Sequence, residues 1–107
     1  MTTFEEFQAS ATTVPVSLRN NLDRIHFLRS GLQVEAGKIS RVLGEGSSTG
    51  HFSLTHEQTS ELRQRLGELL YYIAMACGEL RIPLQDVANS SLERLQERLS
   101  GLDPDQR

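Results

Sequence analysis

The sequence predicts an all-α fold: a bundle of two long helices with shorter helices at the N- and C-terminal ends. Three observations carry that expectation. Leu62, Leu66, Leu69, Ile73, Ala76 and Leu80 recur at spacings of 4-3-4-3-4, one face of a helix about five turns long. A second such face runs through Leu18, Leu22, Ile25, Leu28, Leu32, Ala36, Ile39 and Leu43. No alternating β-branched run suggests a strand.

Each element has its punctuation. The first helix runs from Thr3 to about Ala11 and ends before Pro15, since proline cannot continue a helix. The second is the first of the long pair, with Ser17 placed to cap its start and Gly44 where a C-terminal glycine belongs. Gly31 and Gly37 fall inside it. Each costs about 1 kcal/mol relative to alanine, which suggests close approach by another helix or a ligand. The third helix starts at a capping box, Thr55 with Gln58 three residues on, and ends by Pro83. The last spans Leu84 to Leu99, with Val87, Leu92, Leu95 and Leu99 expected inward and Gly101 beyond its end. A flexible loop over about 44–54 joins the long helices, and residues 101–107 form a tail.

The chain has 107 residues, the size of one domain. A formal charge of −3 with scattered Lys and Arg gives no electrostatic case for nucleic acid. No stretch approaches the roughly 20 apolar residues of a membrane span, and residues 1–10 lack the cationic lead of a signal peptide. A cytoplasmic location is the resulting expectation. The single cysteine, Cys77, excludes an internal disulfide framework and reads as a small core residue, because no basic neighbour would activate it. The Gly44–Gly50 segment is not a phosphate-binding loop, since Gly50 is followed by His51 where Lys is needed and helices flank it on both sides. His26, His51 and His56 share no metal-ligand spacing.

The informative residues are charges placed against the apolar seams. Glu35 lies on or beside the inward face of the first long helix, with Lys38 at i+3 on the same side. On the other long helix Glu61, Arg65, Glu68 and Tyr72 form a 4-3-4 stripe beside the leucines. Charge at a packed helix edge is costly unless it is paired or functional.

These residues carry a resemblance. Gly31-Leu32-Gln33-Val34-Glu35-Ala36-Gly37-Lys38-Ile39 resembles the GLxGEAGEv segment of MazG-type nucleotide pyrophosphohydrolases, and Leu66-Gly67-Glu68-Leu69-Leu70-Tyr71-Tyr72 resembles that family's LGDvLwY. Phe4-Glu5-Glu6-Phe7-Gln8 is similar to its opening F-x-E-Y-Q. Arg81-Ile82-Pro83-Leu84-Gln85-Asp86-Val87-Ala88 is similar to the run into its last helix. The resemblance covers about Phe4 to Leu99. It implies a Mg²⁺-dependent hydrolase of the all-α NTP pyrophosphatase type, cleaving a nucleoside triphosphate to monophosphate and pyrophosphate, and working as a homodimer or homotetramer. In that family an E-x-x-E pair and an E-x-x-D pair on adjacent helices hold the metal, which suits a hard cation that takes oxygen ligands.

Carried over, the ligand pattern breaks. Glu35 and Glu68 keep carboxylates at the first and fourth positions, but Lys38 and Arg65 occupy the second and third. Protonated amines and guanidiniums have no lone pair for a metal. Glu61 does not rescue the site, because seven residues along a helix from Glu68 is about 10 Å, and Glu79 lies further still. Lys38 can pair with Glu35 or with Glu68, and Arg65 likewise, so the quartet can neutralise itself. Ser91, Arg94 and Arg98 resemble the family's Asn, Lys and Arg that approach substrate phosphates, with Ser91 departing from the Asn.

The expectation is a catalytically impaired family member with Glu35 and Glu68 as a vestigial metal pair. Lys38, Arg65, Arg94 and Arg98 would retain nucleotide or phosphate binding. Two alternatives stand beside it: an active Mg²⁺-dependent hydrolase of (d)NTPs, and a non-enzymatic helical interaction module.

Overall fold

A computed structural model describes residues 1–13, 21–47 and 50–101. Among them the chain is helical with no strand: α1 (Phe4–Thr13), α2 (Asn21–Gly46), α3 (His56–Glu79) and α4 (Leu84–Ser100). None of these helices is long and apolar enough to cross a membrane. Leu18 and the expected cap Ser17 lie outside the described residues.

The helix ends follow local chemistry. Thr3 Oγ1 accepts from the Glu6 amide at the start of α1. The capping box at Thr55 is complete: its hydroxyl accepts from the Gln58 amide at 3.1 Å and Gln58 Oε1 accepts from the Thr55 amide at 2.9 Å. At the C-terminal end of α3, the Ile82 amide reaches back to the Cys77 carbonyl and the Arg81 amide to that of Gly78. That is a Schellman closure, and it forces its left-handed residue, Arg81, to φ 58°. Gly44 does not end α2. The helix continues to Gly46, where Leu54 and the Ser53 carbonyl crowd the position a β-carbon would take, and the Ser53 amide donates to the Gly46 carbonyl. The connector is therefore shorter than the expected 44–54.

The helix α3 is the centre of the assembly. It packs against α2 along one face and against α1 on the other, and it meets α4 at one end, where α1 and α4 also touch; among the described residues α2 packs on α3 alone. The pair α2–α3 is antiparallel, as the ion pairs Arg24–Glu79 (3.0 Å) and Arg41–Glu61 (2.9 Å) near its two ends require. Ala11, Ala74, Cys77 and Leu84 form a small core with Phe7, Tyr71 and Ile73 packed on it. Cys77 is buried, the small core residue its apolar setting implied.

The apolar seams differ from the sequence expectation. The buried line of α2 is Leu28, Glu35 and Val42, with Gly31, Leu32, Lys38 and Ile39 partly covered. Leu22, Ile25 and Leu43, expected inward, are exposed, as are Leu66 and Leu80 of α3. Val87, Leu92, Leu95 and Leu99 of α4 are likewise exposed, because only Leu84 and Ala88 at its base reach the core. A stripe wider than one partner can cover leaves its outer half in solvent.

Candidate functional site

The charged residues converge at the waist of the α2–α3 pair. The heptad spacing of Leu28, Glu35 and Val42 returns each to the same side of α2 after two turns, so Glu35 is carried into the interface and is 7% exposed. Opposite it, the antiparallel register brings Arg65. Lys38 Nζ stands 3.9 Å and Arg65 Nη1 3.6 Å from the same oxygen, Glu35 Oε1. These are ion pairs at distances too long for hydrogen bonds. Glu35 Oε2 and Arg65 Nε are buried without a hydrogen-bond partner.

Beside this triad lies a half-open hollow of about 180 Å³ lined by Phe27, Ser30, Gly31, Val34, Glu35 and Tyr72. Gly31 makes it possible: a β-carbon there would collide with the Tyr72 ring, whereas Gly37 faces open space. Close approach thus explains one of the two mid-helix glycines. The Phe27 and Tyr72 rings pack tilted at 5.5 Å, and Tyr71 meets Tyr72 edge-on at 5.4 Å. Burial, then the charges of Glu35 and Glu68, hold the Tyr72 phenol above its usual range, so it stays neutral and a donor.

Of the four positions expected to form a cage, three meet. Glu68 is exposed and, among the described residues, forms no ion pair; the expected pairing of Lys38 or Arg65 with Glu68 does not occur, because both cations are drawn to the buried carboxylate. A Mg²⁺ ion needs several oxygens at about 2.1 Å. Among the described residues the only buried carboxylate, Glu35, is flanked by two cations, and no three His, Cys, Asp or Glu side chains are grouped to hold a metal. The residues present do not fit the family's ion.

Ser91, Arg94 and Arg98 come together, with Val87 and Leu95, around a separate hollow of about 150 Å³ on α4. Among the described residues α4 does not pack on α2, and the hollow of Arg94 and Arg98 is lined by neither Lys38 nor Arg65, so the two pairs of cations form separate clusters. Glu61 and Glu79 are occupied elsewhere, with Arg41 and Arg24 respectively. Arg41 bridges Glu45 and Glu61 at 2.8 and 2.9 Å, and hydrogen bonds to Glu45 and Glu61 raise its already high pKa.

Sequence reasoning missed Phe27, Ser30 and Val34, the outer wall of the hollow. The only signal available was Gly31, whose partner Tyr72 is 41 residues away. The Arg41–Glu45 pair was visible as i,i+4 spacing, but Glu61 as its second partner was not.

The chain is similar to the "Gene 37 protein" of Mycobacterium phage L5, at 25% identity over 79 residues, covering 74% of this chain and 69% of the phage protein. No family model matches the chain, and no solved structure matches it.

Proposed function

We propose that this chain is a MazG-like helical protein that binds a nucleotide by its phosphates through Lys38 and Arg65, and that it does not run the Mg²⁺-dependent hydrolysis of that family. One observation carries the reading. The two cations standing at carboxylate positions both turn to Glu35, leaving a triad of net charge +1 beside an aromatic hollow. Arginine and lysine are suited to phosphate oxygens, arginine bidentately. Arg65 Nε is buried with no hydrogen-bond partner, a donor that a phosphate would reach only by displacing its cover. Phe27 and Tyr72 offer faces on which a base can stack. At about 180 Å³ the hollow is smaller than the roughly 300–1,000 Å³ of a full ligand pocket, so it takes one part of a nucleotide and leaves the rest in solvent.

The test is calorimetric titration with a nucleoside triphosphate, with and without Mg²⁺, beside an assay of pyrophosphate release. Binding should be independent of Mg²⁺, release should be absent, and Arg65→Ala should weaken binding tenfold or more, about 1.4 kcal/mol. Absence of any binding sinks the proposal. Pyrophosphate release that disappears in Glu68→Ala would instead identify a working hydrolase. Lys38→Glu combined with Arg65→Glu should confer Mg²⁺ affinity on the waist.

A further inference from the structure

Among the described residues, three polar side chains line the hollow at the waist: Ser30, Glu35 and Tyr72. They are not equivalent. A hydroxyl can donate or accept, so Ser30 and Tyr72, whose phenol stays protonated, suit either kind of partner. A carboxylate accepts only. The Glu35 side chain is 9% exposed, and its two oxygens differ. Oε1 faces Lys38 and Arg65, whereas Oε2 is buried with no hydrogen-bond partner. Buried acceptors are rarely left without a donor, and each exception calls for a cause. A donor carried by a ligand is one such cause.

The surroundings narrow the chemistry of that donor. Glu35 already stands between two cations, so a third positive charge, an ammonium or a guanidinium, is repelled. The donor is therefore neutral. The tilted Phe27 and Tyr72 rings, 5.5 Å apart, favour a flat carrier that can pack against an aromatic face. A neutral N–H donor on a flat ring describes the exocyclic amino group of a nucleobase. We infer, on the nucleotide reading proposed above, that Glu35 reads the base: the hollow admits a base whose amino group donates to this carboxylate, and so takes cytosine ahead of uracil. Where cytosine carries its amino donor, uracil carries a carbonyl oxygen, which would set lone pair against lone pair. Because Oε2 is covered, the amino group reaches it by displacing that cover or by a turn of the carboxylate about its terminal torsion, which is broad in glutamate. At 3.6 and 3.9 Å neither cation holds the carboxylate by a hydrogen bond, so the turn breaks none. Ser30 and Tyr72 serve either base, which leaves the choice to Glu35.

The experiment is calorimetric titration of the full chain, without Mg²⁺, with CTP, with UTP and with inorganic triphosphate. The two nucleotides are nearly equal in size and differ at the group that Glu35 reads. CTP should bind about tenfold or more tightly than UTP, since a site that hydrogen-bonds a substrate N–H rejects the analogue lacking it. Glu35→Gln, whose amide both donates and accepts, should bring the two within about twofold of each other. If that variant does not fold, the ratio in wild type decides the matter. CTP and UTP bound with equal affinity by wild type would overturn the inference and leave the nucleotide reading standing. A preference for CTP that survives Glu35→Gln would do the same. Inorganic triphosphate bound as tightly as both nucleotides would show phosphate contacts alone, and no binding of any of the three would overturn both readings.

Discussion

At one end of the molecule, Ala11, Ala74, Cys77 and Leu84 close an apolar corner between α1, α3 and α4. At the waist of the α2–α3 pair, a buried glutamate holds two cations and leaves polar atoms unpartnered. The corner is joined by small side chains and by one polar device: Gln8 on α1 donates to the Ile82 carbonyl at 3.0 Å and accepts from the Leu84 amide at 2.8 Å, tying α1 to the start of α4. Among the described residues, no buried side-chain nitrogen or oxygen of this corner lacks a hydrogen-bond partner. The waist is under-satisfied by the same accounting, and an unpaired buried polar atom costs more than a made hydrogen bond returns. The difference separates scaffold from site. The corner sets α1 and α4 on α3, whereas the waist keeps hydrogen-bonding capacity that a ligand can use.

The widest contrast is expected on removing charge from the waist. Arg65→Ala leaves Glu35 buried with only the half-exposed Lys38, and should destabilise by about 3 kcal/mol, measured by urea unfolding. Lys38→Ala removes the more exposed partner, 41% accessible at its side chain, and should cost no more than about 1 kcal/mol. Equal losses would show that the triad does not discriminate between its cations.

Glycine substitutions sharpen the boundary of the waist. Gly31→Ala drives a β-carbon into Tyr72 and should cost roughly 1–3 kcal/mol. Gly37→Ala, six residues on and in open space, should stabilise by up to about 1 kcal/mol through helix propensity. Thermal unfolding of the two variants side by side gives opposite signs if the hollow is real. At the corner, Gln8→Ala leaves the half-buried Leu84 amide without its partner and should cost about 1–2 kcal/mol, with α1 losing hydrogen-exchange protection before α2 does.

The smallest effect is a pH dependence. Because the folded state raises the Tyr72 pKa above 10.0, it holds the phenolic proton more tightly than the unfolded chain. Its contribution to stability is therefore complete below about pH 10 and is lost as pH rises through the folded pKa. Tyr72→Phe should flatten the alkaline fall in stability, and tyrosinate absorbance should show one tyrosine titrating late. A wild-type curve identical to that of Tyr72→Phe would place the ring in solvent.

Local signals were readable because their causes are local. The box at Thr55 and Gln58 and the glycine after α4 bond within their own turns, and the existence and order of the four helices followed from them. Gly44 misled for the opposite reason. Whether a glycine ends a helix depends on what crowds it, and the crowding by Ser53 and Leu54 falls at Gly46. The site was half visible. Glu35, Lys38 and Arg65 could be placed near one another by helical spacing, and Glu68 with them. That both cations would choose Glu35 required knowing that Glu35, and not Glu68, is buried.

The sequence by itself determined that α2 and α3 are long amphipathic helices and that four charges, Glu35, Lys38, Arg65 and Glu68, stand on or beside their apolar stripes at the positions where the resemblance expects carboxylates. It could not determine which half of each broad apolar stripe is buried, since a stripe spanning Leu22 to Leu43 reads the same whether one helix or two cover it. The tertiary structure decided that, by turning Leu28, Glu35 and Val42 toward α3 and leaving Leu22, Ile25 and Leu66 outside. A steric contact accompanies it. Tyr72 settles against α2 at Gly31, where any β-carbon would collide with its ring, and this contact is compatible with the rotation that buries Leu28, Glu35 and Val42.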